Sequence, residues 1–378
     1  MTTNRRQWLK SAGLTSGLFS VLGTRVLATP DFESFLQDQE ILHYPPETLI
    51  KLSSNENPYG PSKKVREAMI KGFDSVCRYP WEERVLLKKK LAEKEGVTPE
   101  HILITVGSTE GLKSTALAYS IGGGEVIAAE PTFETMLHYA EHFGAYIHRV
   151  PVKEDTLGLD LEEMEKRITG NTRLVFLCNP NNPTGTVLAP NELRDFCESA
   201  AKRTMVFSDE AYYDYITEPN YPSMVEMVKD NQNVVVSRTF SKVYGLAGIR
   251  LGYLVARPDI IARIKECQSD RPNMLALHAA ITAMDEQDFY QYSLDMNAKA
   301  KQKIYRSLDQ IGFPYIKSHA NFVFFKTRMD ISAFGKAMQG HGIKVGRAFP
   351  PYTDWCRVST GKLEDMDLLT EALNKVLG

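Results

Sequence analysis

Long apolar runs are missing from this sequence. No 18 consecutive residues are apolar, so no membrane-spanning helix is expected. Net charge is also small, −2 from 45 basic and 47 acidic side chains, which gives no reason to expect nucleic acid or an acidic membrane surface as a partner. Cysteine is scarce: Cys77, Cys178, Cys197, Cys267 and Cys356 are odd in number and have no paired spacing. That excludes a disulfide framework and a cysteine metal site, and the five read as buried thiols of a protein folded in a reducing compartment. Internal repeats and low-complexity tracts are absent as well. What is present is a chain of 378 residues, 43% hydrophobic, long enough to bury a large core and to divide into two domains.

The first residues differ in character from the rest. Arg5 and Arg6 precede a modestly apolar stretch from Ser11 to Gly23, and Val26-Leu27-Ala28 offers small-residue cleavage chemistry. This resembles a twin-arginine export signal over residues 1–28, which implies a periplasmic or exported protein; the alternative is a basic N-terminal helix on a cytoplasmic one. Removing 1–28 takes away Arg5, Arg6, Lys10, Arg25 and no acid, leaving a net charge of −6. That route carries proteins already folded, which suits an enzyme that captures a cofactor in the cytosol.

Strand and helix patterns then alternate. His101 to Val106 reads as a strand, and Gly107-Ser108-Thr109 opens a helix through Ala118. Backbone N–H groups and the Ser108 and Thr109 hydroxyls converge there, where the helix dipole stabilises an anion. Glu125 to Pro131 is the next strand, with Phe133 just past it. Thr172 to Leu177 is a buried strand that runs into Cys178-Asn-Pro-Asn-Asn-Pro-Thr-Gly185, a rigid loop holding Asn182. Thr204 to Asp209 ends on a carboxylate, which is costly to bury without a positive partner, and Tyr212 follows three positions later. The alternation predicts an α/β fold with a doubly wound, mostly parallel sheet whose ligands bind beyond the carboxyl ends of the strands.

The apolar run Val234-Val235-Val236 leads to Thr239, Ser241 and Lys242, with Arg250 eight residues past the lysine and glycines at 245, 248 and 252 between and beyond. A lysine flanked by hydroxyls and backed by an arginine suits a phosphorylated aldehyde: the amine condenses with the carbonyl while Thr239, Ser241 and Arg250 face the phosphate. Nearer the start, Leu49 to Gly60 is a short strand breaking into a turn with Tyr59 at its tip, and Pro61-Ser62-Lys63 opens a helix through Ile70. After about Ala280 a long charge-rich helix runs through Leu308. Tyr315 to Lys326, Gly342 to Phe349 and Trp355 to Ser359 then read as one small mixed sheet carrying Arg357, with Arg347, Phe349, Tyr352 and Trp355 close before it.

Asn-Pro-Thr-Gly at 182–185, Asp-Glu-Ala-Tyr at 209–212 and Ser-Lys at 241–242 with Arg250 occur in an order that resembles the pyridoxal-phosphate enzymes of the aspartate-aminotransferase fold, nearest the histidinol-phosphate aminotransferase branch. The resemblance covers about Leu49 to Arg357. It implies an arm with part of a small domain at 29–71, a large cofactor domain at 72–285 and a small α+β domain completed by 286–378. It implies that Lys242 condenses with pyridoxal 5'-phosphate and that Asp209 pairs with the protonated ring nitrogen, raising its pKa. By the same resemblance Tyr212 and Asn182 would hydrogen-bond the ring hydroxyl, and Phe133 would stack on the ring. Ser108, Thr109, Thr239, Ser241 and Arg250 would hold the phosphate. Tyr59 would reach the phosphate of a neighbouring subunit, so a homodimer is implied, and Arg357 would clamp the substrate α-carboxylate bidentately.

The implied reaction is transfer of an amino group between an amino acid, or a histidinol-phosphate-like amine, and a 2-oxo acid. Decarboxylase, lyase and oxidase chemistry uses the same cofactor, and a non-catalytic binding protein of this fold would have lost Lys242 or Asp209. One departure stands out. Histidinol-phosphate enzymes usually carry an arginine directly after the hydrophobic pair of the Gly342-Ile343 strand, whereas here Arg347 is displaced by about one residue. Arg347 is expected to take a substrate phosphate, a side-chain carboxylate or merely a surface acid, with Phe349, Tyr352 and Trp355 favouring an aromatic or imidazole-bearing substrate.

Overall fold

The computed structural model describes residues 49–378. The twin-arginine-like stretch 1–28 and the arm before residue 49 lie outside the described residues.

After a short first strand β1 (Ile50–Lys51) come β2 (Ile102–Thr105), β3 (Glu125–Glu130), β4 (Tyr146–Pro151), β5 (Thr172–Cys178), β6 (Met205–Asp209), β7 (Val234–Thr239) and β8 (Gly252–Ala256). Strands β2 to β8 form one sheet in the order β2-β8-β7-β6-β5-β3-β4. Only β8 runs against its neighbours, pairing antiparallel with β2 and β7; the other pairs are parallel. The expected α/β fold with a mostly parallel sheet is therefore present.

Both faces of this sheet are covered, which is why its strands read as continuous apolar runs. Side chains alternate with a period of two. Val175, Leu177, Val206, Val234 and Val236 join one core cluster, while Leu174, Phe176, Met205, Phe207 and Val235 join the cluster on the opposite face. Helices Ser108–Ser120, Thr135–His142 and Pro190–Ala201 lie between the strands in sequence. At one edge of the sheet the carboxyl ends meet: Cys178 pairs with Asp209, and Thr105 and Thr239 both pair with Gly252.

A second layer is built from β9 (Tyr315–Ile316), β10 (Phe322–Lys326), β11 (Ile343–Lys344) and β12 (Trp355–Ser359). Strand β10 lies antiparallel between β9 and β12. The single mixed sheet expected from sequence is corrected here. Strand β11 leaves that group and pairs parallel with β1, where Ile50 N–H donates to Gly342 and Leu52 N–H to Lys344, both at 2.8 Å. The partner arrives from nearly 300 residues earlier, so no local pattern announces it.

Alternation decides what the small antiparallel sheet offers the site. Phe322 and Phe324 turn to the cluster shared with Val206 and Tyr212, whereas Val323, Phe325, Cys356 and Val358 pack with the C-terminal helix Leu363–Leu377 through Met366 and Leu369. The expected helix from about Ala280 is two helices, Met274–Ala283 and Gln287–Ile311, the second ended by Gly312 in the left-handed region. Cys178, Cys197 and Cys356 are buried and Cys267 half-buried, but Cys77 is exposed, contrary to expectation. It follows the short 3-10 turn Phe73–Ser75, itself on the surface, so no core is there to cover it.

Candidate active site

Lys242 lies three residues past the end of β7. Its Nζ donates to the backbone carbonyl of Asn55 at 3.0 Å and stands 5.2 Å from the centre of the Tyr212 ring. Burial pushes the amine down to about 8, helped by the positive charges of Arg357 and Arg250 and opposed by Glu56 and Asp209. Asp209, the last residue of β6, is 2% exposed. Burial pushes its carboxyl up to about 7, against the pull of a backbone N–H and of Lys242. Its Oδ1 has no hydrogen-bond partner among the described residues. A buried carboxylate oxygen without a partner is expensive, and a cationic donor from outside the chain would satisfy it.

Beside these, the Tyr212 hydroxyl accepts from Asn55 Nδ2 at 2.9 Å and from Asn182 Nδ2 at 3.4 Å, and its ring stands edge-on to Phe322 at 5.3 Å. Burial raises the phenol well above its ordinary value. Asn182 comes from the rigid loop after β5, and its Oδ1 accepts from Arg357 Nη1 at 2.6 Å. Arg357, buried on β12, also donates Nη2 to the carbonyl of Ser53 at 2.9 Å. Its guanidinium lies 4.8 Å from the centre of the Phe349 ring, and burial lowers its pKa. Nε of Arg357 has no partner among the described residues.

An anion cradle lies on the same edge. Gly107, with φ of 74°, caps the helix Ser108–Ser120 without a side chain, so the first N–H groups of that helix are open. Arg250, itself left-handed at φ 61°, places Nη2 at 3.4 Å from Thr109 Oγ1 and Nη1 at 3.5 Å from Ser241 Oγ. A Cβ on Gly107 would fall 2.4 Å from Arg250 Nη2, and one on Gly252 only 2.5 Å from the Ser108 nitrogen. Both glycines are thus required for the guanidinium and the helix start to approach. Thr239 Oγ1 accepts from Ser241 N–H at 3.1 Å, which turns the chain from β7 toward Lys242.

The structure therefore brings together Lys242, Asp209, Tyr212, Asn182 and Arg357, and next to them Ser108, Thr109, Thr239, Ser241 and Arg250. Phe133 sits past the end of β3, half-buried against the cluster of Phe176 and Cys178. Arg347 is exposed, with Nη1 on the Ala348 carbonyl at 2.7 Å and its guanidinium 4.5 Å from the Phe349 ring centre. Tyr59 is not brought to Lys242 within its own chain: its hydroxyl accepts from Leu363 N–H at 3.1 Å, and its ring stands edge-on to Tyr292. Sequence reasoning missed Asn55, Ser53 and Ser359. The one signal for Asn55 was its place in the polar Asn-Glu-Asn-Pro-Tyr-Gly loop.

An orphaned carboxylate oxygen, an amine held near neutrality and an open helix start beside an arginine fit the ring nitrogen, aldehyde and phosphate of pyridoxal phosphate. Fold and site define the class: a pyridoxal-phosphate enzyme built on a seven-stranded α/β sheet. Residues 47–373 match the family model Aminotransferase class I and II, and the chain belongs to that family. It is a pyridoxal-phosphate-dependent aminotransferase. It is 36% identical over 334 residues to the histidinol-phosphate aminotransferase of Caldicellulosiruptor saccharolyticus, covering 88% of this chain and 92% of that one. The putative histidinol-phosphate aminotransferase of Erwinia carotovora atroseptica is similar in structure, with a TM-score of 0.84, 31% identity and coverage of 87% and 97%. The Sinorhizobium meliloti histidinol-phosphate aminotransferase, solved in complex with pyridoxal-5'-phosphate, has a TM-score of 0.79 at 27% identity, covering 87% and 90%.

Proposed function

We propose that this aminotransferase uses Lys242 as its nucleophile and takes an amino donor combining an imidazole or aryl side chain with an anionic group, an α-carboxylate or a phosphate ester. The observation that carries the reading is the Lys242 amine, held down to about 8, near an Asp209 carboxylate whose Oδ1 awaits a cationic partner. When bound, pyridoxal phosphate supplies an aldehyde that condenses with amines and a ring that takes up electrons from the substrate α-carbon. Asp209 would face the ring nitrogen and keep it protonated. Lys242 Nζ, once released by the substrate, would accept the proton from the α-carbon and return it. Arg357 would grip the anionic group, Asn182 and Tyr212 would orient the ring hydroxyl, and Ser108, Thr109, Thr239, Ser241 and Arg250 would hold the phosphate. Phe133 would pack on the ring.

Specificity rests on Phe324 stacked on Trp355 at 5.0 Å, with Phe349 and Tyr352 edge-on to Phe324, a wall that suits a flat side chain. Arg347, over Phe349, serves a second negative group. Histidinol phosphate, the substrate in the names of the relatives, supplies the flat imidazole and one anionic group, its phosphate ester. Purified enzyme assayed with histidinol phosphate, aromatic amino acids and glutamate against 2-oxo acids tests this; turnover without an oxo acid would instead indicate a decarboxylase, lyase or oxidase.

The same proposal includes a homodimer, in which Tyr59 serves the neighbouring phosphate. Ile70, Phe73, Tyr79 and Trp81 are 54% to 85% exposed, an apolar face that a second copy would cover. A cleft of about 970 Å3 next to Trp81, between Arg84 and Arg271, contains none of the site residues and belongs to this face. Sedimentation at micromolar concentration decides between monomer and dimer. Export by the twin-arginine route completes the proposal, and a secreted form beginning at Thr29 is its test.

A further inference from the structure

Asn55 hydrogen-bonds two members of the proposed machinery, yet the reaction assigns it no part. Its carbonyl accepts from Lys242 Nζ at 3.0 Å, and its side-chain Nδ2 donates to the Tyr212 hydroxyl at 2.9 Å. Its N–H donates to Ser359 Oγ at 2.7 Å, and Ser359 Oγ in turn donates to Asn55 Oδ1 at 2.8 Å. Every polar group of Asn55 is thereby engaged, at 2% exposure. Ser359 lies two residues along β12 from Arg357, on the same face of that strand. Two residues before Asn55, the Ser53 carbonyl accepts from Arg357 Nη2. The segment 53–55 is therefore fastened to β12 at two points and to Lys242 and Tyr212 at two more.

The backbone supports the same reading. Asn55 has φ of 52°, in the left-handed region that asparagine tolerates better than other side-chain-bearing residues. Any ordinary residue there would be strained, and glycine would lose the side-chain bonds.

Resting on the reading of Lys242 as nucleophile, we propose that Asn55 is a positioning residue that couples the strand carrying Arg357 to the amine of Lys242 and the phenol of Tyr212. One side chain and one carbonyl set the direction of both groups, so anchoring of the substrate anion on β12 and readiness of the amine are mechanically linked. Asn55 touches neither substrate nor cofactor in this role; it acts through its neighbours.

Three variants of the holoenzyme test the coupling. Asn55→Gly keeps the left-handed backbone and the carbonyl but removes the side chain. Asn55→Asp keeps size and the Ser359 bond but turns a donor toward Tyr212 into an acceptor. Ser359→Ala cuts the link to β12 alone. Each is measured for kcat, KM of the amino donor, and the pH midpoint of the cofactor's visible band, with the thermal transition as control for folding. Asn55→Gly is expected to lower kcat at least tenfold, with KM changed less than threefold and the midpoint moved. Asn55→Asp should move the midpoint to higher pH, because its charge favours protonation of the Lys242 nitrogen. Ser359→Ala should lower kcat with a smaller shift. Folded variants with wild-type kcat and midpoint overturn the proposal, as does a loss confined to KM; if Asn55→Gly fails to fold, the other two decide. Failure of the Lys242 reading is separate, since it would show as a cofactor band persisting in Lys242→Ala.

Discussion

Arg357 Nη1 donates to Asn182 Oδ1 at 2.6 Å, joining the small antiparallel sheet to the loop after β5 across 175 residues of chain. The bond aims the guanidinium edge and fixes which way the Asn182 amide points, so Nδ2 is the end presented to Tyr212. Replacing Arg357 by Lys keeps the charge and loses the fork. We expect kcat/KM for the donor to fall about 10- to 100-fold, the cost of one or two charged hydrogen bonds, with the cofactor spectrum unchanged. Steady-state kinetics beside an absorption spectrum checks this.

The acidity of Lys242 sets a pH limb. With the amine pushed down to about 8, the neutral fraction grows from pH 6 to 8 and saturates above. The rate at which the stripped protein condenses with pyridoxal phosphate should rise about tenfold per pH unit below that value and level off beyond it. A condensation rate that stays flat between pH 6 and 9 would contradict the assignment.

Asp209 makes a prediction for the cofactor-stripped protein. Its folded carboxyl sits at about 7 against an ordinary value near 4, so the folded state holds a proton that the unfolded state has released. Stability from this group is full below pH 4 and is lost as pH rises to 7. Lys242, pushed down to about 8, acts higher: the unfolded chain holds the extra proton between pH 8 and 10.5, so stability recovers over that range. Asp209→Asn should flatten the fall between pH 4 and 7 by roughly 5 °C in Tm. Differential scanning calorimetry of the two stripped proteins checks it.

Gly107→Ala targets the cradle without touching the amine. Its Cβ would press on Arg250 Nη2, and φ of 74° is strained for alanine. Cofactor affinity should drop about tenfold or more, the weight of one strained backbone position, measured by equilibrium titration of the stripped protein.

Behind the site, Glu210 and Arg238 form a buried ion pair at 2.7 Å, and Glu210 also accepts from Met224 N–H and Ser223 Oγ at 2.8 Å. Arg238→Ala leaves that carboxylate buried and uncompensated, and should cost about 3–5 kcal/mol of unfolding free energy. The double variant Glu210→Gln with Arg238→Met should recover most of the loss. Urea denaturation of the three proteins separates these outcomes.

Much of the site was legible because strand ends are. Val234-Val235-Val236 and Met205 to Phe207 are apolar enough to announce buried strands, and the polar residues directly after such runs must emerge at one edge of a parallel sheet. Lys242, Asp209 and Thr239 were readable on that ground. Strand β4 was not, because Tyr146-Ile-His-Arg-Val-Pro151 lies at the sheet's edge and mixes polar with apolar residues. Asn55 was not either, for its value comes from four hydrogen bonds to three residues, Lys242, Tyr212 and Ser359, none near it in sequence.

By itself the sequence determined the strand ends of the large sheet and the residue types standing there, because burial is written locally, in runs and alternation of apolar side chains. Only the tertiary structure decided which groups meet across the junction: β11 leaving for β1, Arg357 reaching Asn182 and Ser53, and Asn55 joining Ser359 over 304 residues. Those contacts depend on how the face of β10 and β12 packs on the large sheet, and directional hydrogen bonds between segments so far apart are set by that packing rather than by any pattern in the chain.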